Sequence, residues 1–92
     1  MEIEVKFFAN FRELVGQKRI LVSANTVREL LENLRDGYEG LRKELFVDEE
    51  NVALKESVNV TVNGRRIEML DGIDTELRDK DTIAIFPPVA GG

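Results

Sequence analysis

Residues Ile3, Val5 and Phe7 alternate with Glu4, Lys6 and Phe8, the two-residue period of a strand that buries one face. Phe8 interrupts the pattern, an apolar residue on the parity that otherwise carries charge. A second alternating run, Arg19-Ile20-Leu21-Val22-Ser23, follows a stretch from Ala9 to Gln17 in which Phe11, Leu14 and Val15 are spaced for one or two helical turns. The two runs are expected to pair as a hairpin with a long connection. Thr26 then reads as a helix N-cap, because Glu29 three residues on can complete a capping box while Val27, Leu30, Leu31 and Leu34 fall at i, i+3, i+4 and i+7. Gly37 is expected to stop that helix in the left-handed conformation.

Between Tyr38 and Ser57 the apolar positions Leu41, Leu45, Phe46, Val52 and Leu54 are irregularly spaced, which suggests a short helix and a loop. Alternation returns at Val58, Val60 and Val62, and Asn63-Gly64 is a two-residue turn signal leading into Arg65-Arg66-Ile67-Glu68. Asp71-Gly72-Ile73-Asp74 has turn chemistry and Leu77 is an isolated core anchor. Thr82-Ile83-Ala84-Ile85-Phe86 makes a last strand that Pro87 must end. The expectation is an α+β fold in which a mixed sheet of about five strands covers one main helix, with short helices besides. Its inward set, Ile3, Val5, Phe7, Ile20, Val22, Val58, Val60, Val62, Ile83 and Ile85, would pack on Val27, Leu30, Leu31 and Leu34. Residues 1–86 form the domain and residues 87–92 a C-terminal tail; 92 residues leave no room for a second core.

Composition narrows the chemistry. The chain has no histidine and no cysteine, so it lacks the common general base, the thiol nucleophile and the softer metal ligands. It is therefore not expected to be an enzyme or to bind a cofactor or metal. The acidic groups Asp48-Glu49-Glu50 and Asp71, Asp74, Asp79 and Asp81 match no calcium loop and read as solvated surface. Gly37-Tyr38-Glu39-Gly40 lacks the preceding strand and the lysine of a phosphate-binding loop. A formal net charge of −5 disfavours nucleic acid and makes a basic partner easier to accommodate. No apolar run reaches membrane-spanning length and the N-terminus is no signal peptide, so a cytoplasmic protein with no membrane partner is expected.

The remaining candidate is Phe86-Pro87-Pro88-Val89-Ala90-Gly91-Gly92. Pro87 and Pro88 hold the chain extended, lowering the ordering cost of docking. Val89 and Ala90 are small enough for a narrow channel, and Gly91 and Gly92, without Cβ atoms, let the terminal carboxylate reach into another protein's active site. Phe8 and Phe86 share the outward parity of their strands and would form an apolar docking patch at the base of the tail if those strands are neighbours. Arg66 shares that parity.

These residues carry a resemblance. The strand and helix order is similar to the β-grasp of ubiquitin-like proteins, and Lys6-Phe7-Phe8-Ala9, Phe11-Arg12-Glu13-Leu14-Val15-Gly16, Val60 to Gly64 and Leu77 to Gly92 resemble the MoaD/ThiS sulfur carriers, with the tail nearest the MoaD type. The resemblance implies that an E1-like activating enzyme of the MoeB/ThiF type uses ATP and Mg2+ to adenylate Gly92. Sulfur then replaces AMP to leave a thiocarboxylate, which a MoaE-type large subunit of molybdopterin synthase consumes in molybdenum or tungsten cofactor synthesis. Family members dock through the face that here carries Phe8 and Phe86. The alternatives are a protein modifier joined to lysines through Gly92, of the Urm1 or small archaeal modifier type, a carrier for thiamine, tRNA thiolation or cysteine synthesis, and a binding module with an inert tail. The chain departs from the family at Arg66, where some relatives are apolar, and at Lys80, where glycine is commoner and a left-handed turn is expected.

Overall fold

Extended residues Glu2–Phe7 form β1, with Ile3, Val5 and Phe7 fully turned inward and the intervening side chains facing out. In the computed structural model, which describes residues 1–88, Ala9–Val15 follow as the short helix α1 and Gly16 closes it at φ 81°, donating its N–H to the Arg12 carbonyl. The stretch between the first two strands is thus helical, anchored by the buried Phe11. Arg19–Ser23 return as β2, antiparallel to β1 with Val5 opposite Ile20 and Lys6 opposite Arg19.

The main helix α2 spans Val27–Gly37. Thr26 caps it by accepting the Glu29 N–H at 3.1 Å, and Val27, Leu30, Leu31 and Leu34 form its buried stripe. Its end differs from the expectation. Gly37 stays within the helix without a positive φ, and the chain leaves through Tyr38 in an extended conformation (φ −135°). Tyr38 also precedes the first turn of α3, Glu39–Leu45, so a left-handed stop would aim the chain away from a helix that begins at once. After α3 come β3 (Phe46–Asp48) and β4 (Ala53–Leu54), a two-stranded ribbon where a loop was expected.

β5 (Asn59–Val62) and β6 (Arg65–Arg66) join through Asn63 and Gly64, both at positive φ (51° and 86°), as a two-residue hairpin turn demands. Ile67–Met69 and Gly72–Asp74 are single 3-10 turns. Lys80 adopts φ 73°, the left-handed turn expected of it, and Thr82–Phe86 form β7. The five-stranded sheet runs β2-β1-β7-β5-β6; β1 and β7 are parallel neighbours at its centre, and β5 lies antiparallel to β7. One face of this sheet buries Ile3, Val5, Phe7, Val60, Val62, Ile83 and Ile85 in the same core as the α2 stripe, Leu41 and Leu45. The arrangement is the β-grasp, α+β as the alternation required.

Candidate docking site at the base of the tail

The site starts from the pairing of β1 with β7. Their parallel register places Phe7 beside Ile85, so the next residue of each strand, Phe8 and Phe86, emerges on the opposite, outer face. The Phe8 N–H donates to the Ile85 carbonyl at 3.3 Å, which holds the end of β1 against β7 just before α1 turns away. The rings meet edge to face, with centroids 6.3 Å apart and planes at 89°. Such a pair contributes about 0.5–1.5 kcal/mol beyond its buried area. Phe8 nevertheless remains 46% exposed and Phe86 half-buried, so the pair keeps apolar ring surface open to solvent.

Phe8, Phe86, Ala84, Pro87 and Pro88 line one shallow apolar depression. Ala84 belongs to it because it sits on the outward parity of β7 between Lys6 and Thr61, and its small side chain leaves the floor open. Sequence reading missed Ala84, although its parity with Phe86 is the signal that identifies it. Arg66 is not part of the depression. It lies on β6 opposite Thr61, two strands away from Ala84, and donates to Glu68 at 2.9 Å. Val89, Ala90, Gly91 and Gly92 fall outside the described residues.

Two carboxylates elsewhere are stabilised by local hydrogen bonds. The Arg35 guanidinium donates to Asp36 at 2.9 Å and holds that carboxyl below the usual carboxylate range, chiefly through this hydrogen bond. Asp48 is also lowered, first by the Asn51 side chain at 2.7 Å and then by the backbone N–H groups of Asn51 and Glu50. Asp36 lies near the end of α2 and Asp48 at the end of β3, and neither lines the apolar depression. Among the described residues no group of three or more acidic side chains is placed to hold a metal ion, and no helix is long and apolar enough to cross a membrane. The site can bind an apolar surface and present the chain that follows Pro88. Among the described residues it offers no nucleophile or proton shuttle of its own.

A β-grasp sheet with an exposed aromatic pair where the last strand runs into a Pro-Pro-Val-Ala-Gly-Gly tail defines a ubiquitin-like carrier. The ThiS family model matches residues 5–92, and the chain belongs to that family of sulfur carriers. Over its full length it is 47% identical to small archaeal modifier protein 3 of Haloferax volcanii, itself covered completely. It is 31% identical to the sulfur carrier protein CysO of Mycobacterium bovis, over 84% of this chain and 83% of the relative. The solution structure of small archaeal modifier protein 1 from Methanosarcina acetivorans superposes with a TM-score of 0.88 at 38% identity, covering 99% of this chain and 96% of the other.

Proposed function

We propose that the chain is a ubiquitin-like modifier whose Gly92 carboxylate is activated as an acyl adenylate and passed to lysine amines, with transfer of sulfur as the second fate of the same intermediate. The observation that carries the reading is the full-length similarity to a small archaeal modifier protein, tail included. The chemistry needs no group from this chain beyond the terminal carboxylate. A carboxylate is a poor electrophile because its charge is delocalised and it would expel oxide. Attack of its oxygen on the α-phosphorus of ATP releases pyrophosphate and gives a mixed anhydride that expels AMP instead. An E1-like activating enzyme of the MoeB/ThiF type supplies the ATP, the Mg2+ and the basic groups that stabilise this transfer. A lysine amine then attacks the acyl carbon, AMP leaves, the amine loses a proton and an isopeptide forms.

In that scheme Phe8, Ala84 and Phe86 dock the carrier while Pro87 and Pro88 aim the tail, and Val89, Ala90 and Gly91 pass through the channel that leads to the adenylation site. The ATP requirement supports a cytoplasmic location.

The second reading, thiocarboxylation of Gly92, is favoured by the family match and the similarity to a sulfur carrier. Delivery of that sulfur to molybdopterin, with the chain as small subunit beside a MoaE-type large subunit, is supported by the resemblance of the tail and by similarity to a solved molybdopterin converting factor subunit 1 of Pyrococcus furiosus. Incubation with the cognate activating enzyme, ATP and a sulfur donor separates these fates by mass. The tryptic remnant Asp81–Gly92 on lysines of other proteins supports the modifier; an oxygen-to-sulfur exchange at the C-terminus supports the carrier. Both are expected to vanish when one alanine is appended after Gly92, and persistence of either product in that extended chain would refute the proposal.

A further inference from the structure

Beside the aromatic pair lies a groove lined by Lys6, Phe7, Phe8, Arg12, Lys18 and Arg19. Three elements converge on it: Lys6 comes from β1, Arg12 from α1, Arg19 from the first residue of β2, and Lys18 from the turn just before it. The β1–β2 register sets Lys6 directly opposite Arg19, and the Phe7 N–H donates to the Lys18 carbonyl at 2.9 Å, which fixes the loop that carries Lys18. Glu4 is shared by two of these cations, 3.2 Å from Arg19 and 3.9 Å from Lys6. Arg12 and Lys18 are exposed and form no ion pair among the described residues. Four cations therefore face one carboxylate on the flank of Phe8, in a chain whose formal net charge is −5.

Overall acidity favours a basic partner at long range, but the charge beside the docking patch has the opposite sign. Over separations beyond about 8–10 Å salt screens the distant carboxylates, so the local charge decides which surface can close over Phe8. We propose that the activating enzyme covers Phe8 and Phe86 with an apolar recess whose margin, on the β2 side, carries carboxylates that pair with Lys6, Arg12, Lys18 and Arg19. This rests on the adenylation reading above and adds the chemistry of the partner's surface. The aromatic pair supplies contact area, while the one-sided cationic rim fixes rotation about it and so aims the tail.

The test uses the full-length chain with Arg12→Glu and Lys18→Glu together, and Arg12→Gln with Lys18→Gln as a milder pair. A control with the same change in net charge, Lys43→Glu with Lys55→Glu, lies outside the groove. ATP–pyrophosphate exchange by the cognate activating enzyme is read at several salt concentrations. Loss of two rim pairs and their replacement by like-charge contacts is expected to lower kcat/KM by about 30-fold at low salt. The loss should reside in KM and shrink as salt is added, with an intermediate loss for the glutamine pair and little change in the control. Adenylation of the unmodified chain with unchanged kcat/KM in the glutamate pair overturns the acidic margin alone. No adenylation of the unmodified chain overturns the functional reading and the docking surface together. Salt-sensitive binding of a single-stranded RNA oligonucleotide, abolished by the glutamate pair while exchange is unaffected, would assign the groove to nucleic acid and also overturn the proposal.

Discussion

Phe7 and Phe8 are consecutive, chemically identical and on opposite faces of the sheet, so truncating each in turn separates stability from docking. Phe7 is 2% exposed and packed in the core; Phe7→Ala should cost about 3–5 kcal/mol, a large part of the about 5–15 kcal/mol available to a small domain. Phe8 is 46% exposed, so roughly half of its transfer term is absent already, and truncation leaves a solvated dent instead of a sealed cavity. With the edge-to-face contact to Phe86 included, Phe8→Ala should cost about 1–2 kcal/mol. That corresponds to a fall in Tm of about 5–15 °C, leaving the domain folded at 25 °C. Docking should suffer more. A central aromatic anchor is worth about 2 kcal/mol or more in binding, or about 30-fold in the KM for adenylation by the activating enzyme. Thermal melts and pyrophosphate exchange on both variants make the comparison. Equal destabilisation by Phe8→Ala and Phe7→Ala, or unchanged exchange in Phe8→Ala, would refute this division of roles.

Lys80→Gly removes a Cβ from a residue at φ 73°, and after the entropy cost of glycine it should stabilise the fold by about 0.5–1 kcal/mol; an unchanged or lower denaturant midpoint would contradict this. Asp48 has a lowered pKa in the folded state, so its stabilising contribution is fully present above the unfolded carboxylate value of about 3.9 and fades as pH falls through the folded value. Asp48→Asn should therefore melt below the parent at neutral pH, with the gap closing in acid below about pH 4. A gap that is constant down to acid pH would show that the carboxylate charge is not what its three hydrogen bonds act on.

Period and parity made much of this fold readable before any coordinates. β1, β2, β5 and β7 each show two-residue alternation of apolar positions in the sequence, although β2 only half-buries Ile20 and Val22 and β5 buries Thr61 along with Val60 and Val62, and α2 announces itself through Thr26 and four apolar positions on one stripe. The Asn63-Gly64 turn follows from residue chemistry, since both positions need positive φ. Where context decides, the reading failed. Gly37 has the chemistry of a left-handed stop, yet α3 begins immediately and needs an extended Tyr38; the left-handed stop occurs at Gly16 instead. The β3–β4 ribbon has strands of three and two residues, too short to show a period, and its turn is held by the Asp48 bonds and by Val52 at φ 47°, an uncommon conformation for a β-branched side chain.

The apolar depression was legible in part. Phe8 and Phe86 stand out by parity, but their meeting depends on β1 pairing with β7, a contact between the two ends of the domain that no local pattern encodes. Arg66 shares the parity and still falls outside the depression, because distance along the sheet is set by strand order. The cationic groove is less visible still, since its members come from three elements and the chain as a whole is acidic.

The side-by-side central strands also govern how the domain resists force. Because β1 and β7 run in the same direction, opposing pulls on Met1 and on the segment after Phe86 slide the strands lengthwise, loading the hydrogen bonds from Glu4/Thr82 to Phe7/Ile85 together. An antiparallel pair drawn from one end would unzip bond by bond. Stretched between its two ends, the domain should therefore yield at a higher force than when pulled between two residues whose strands peel apart.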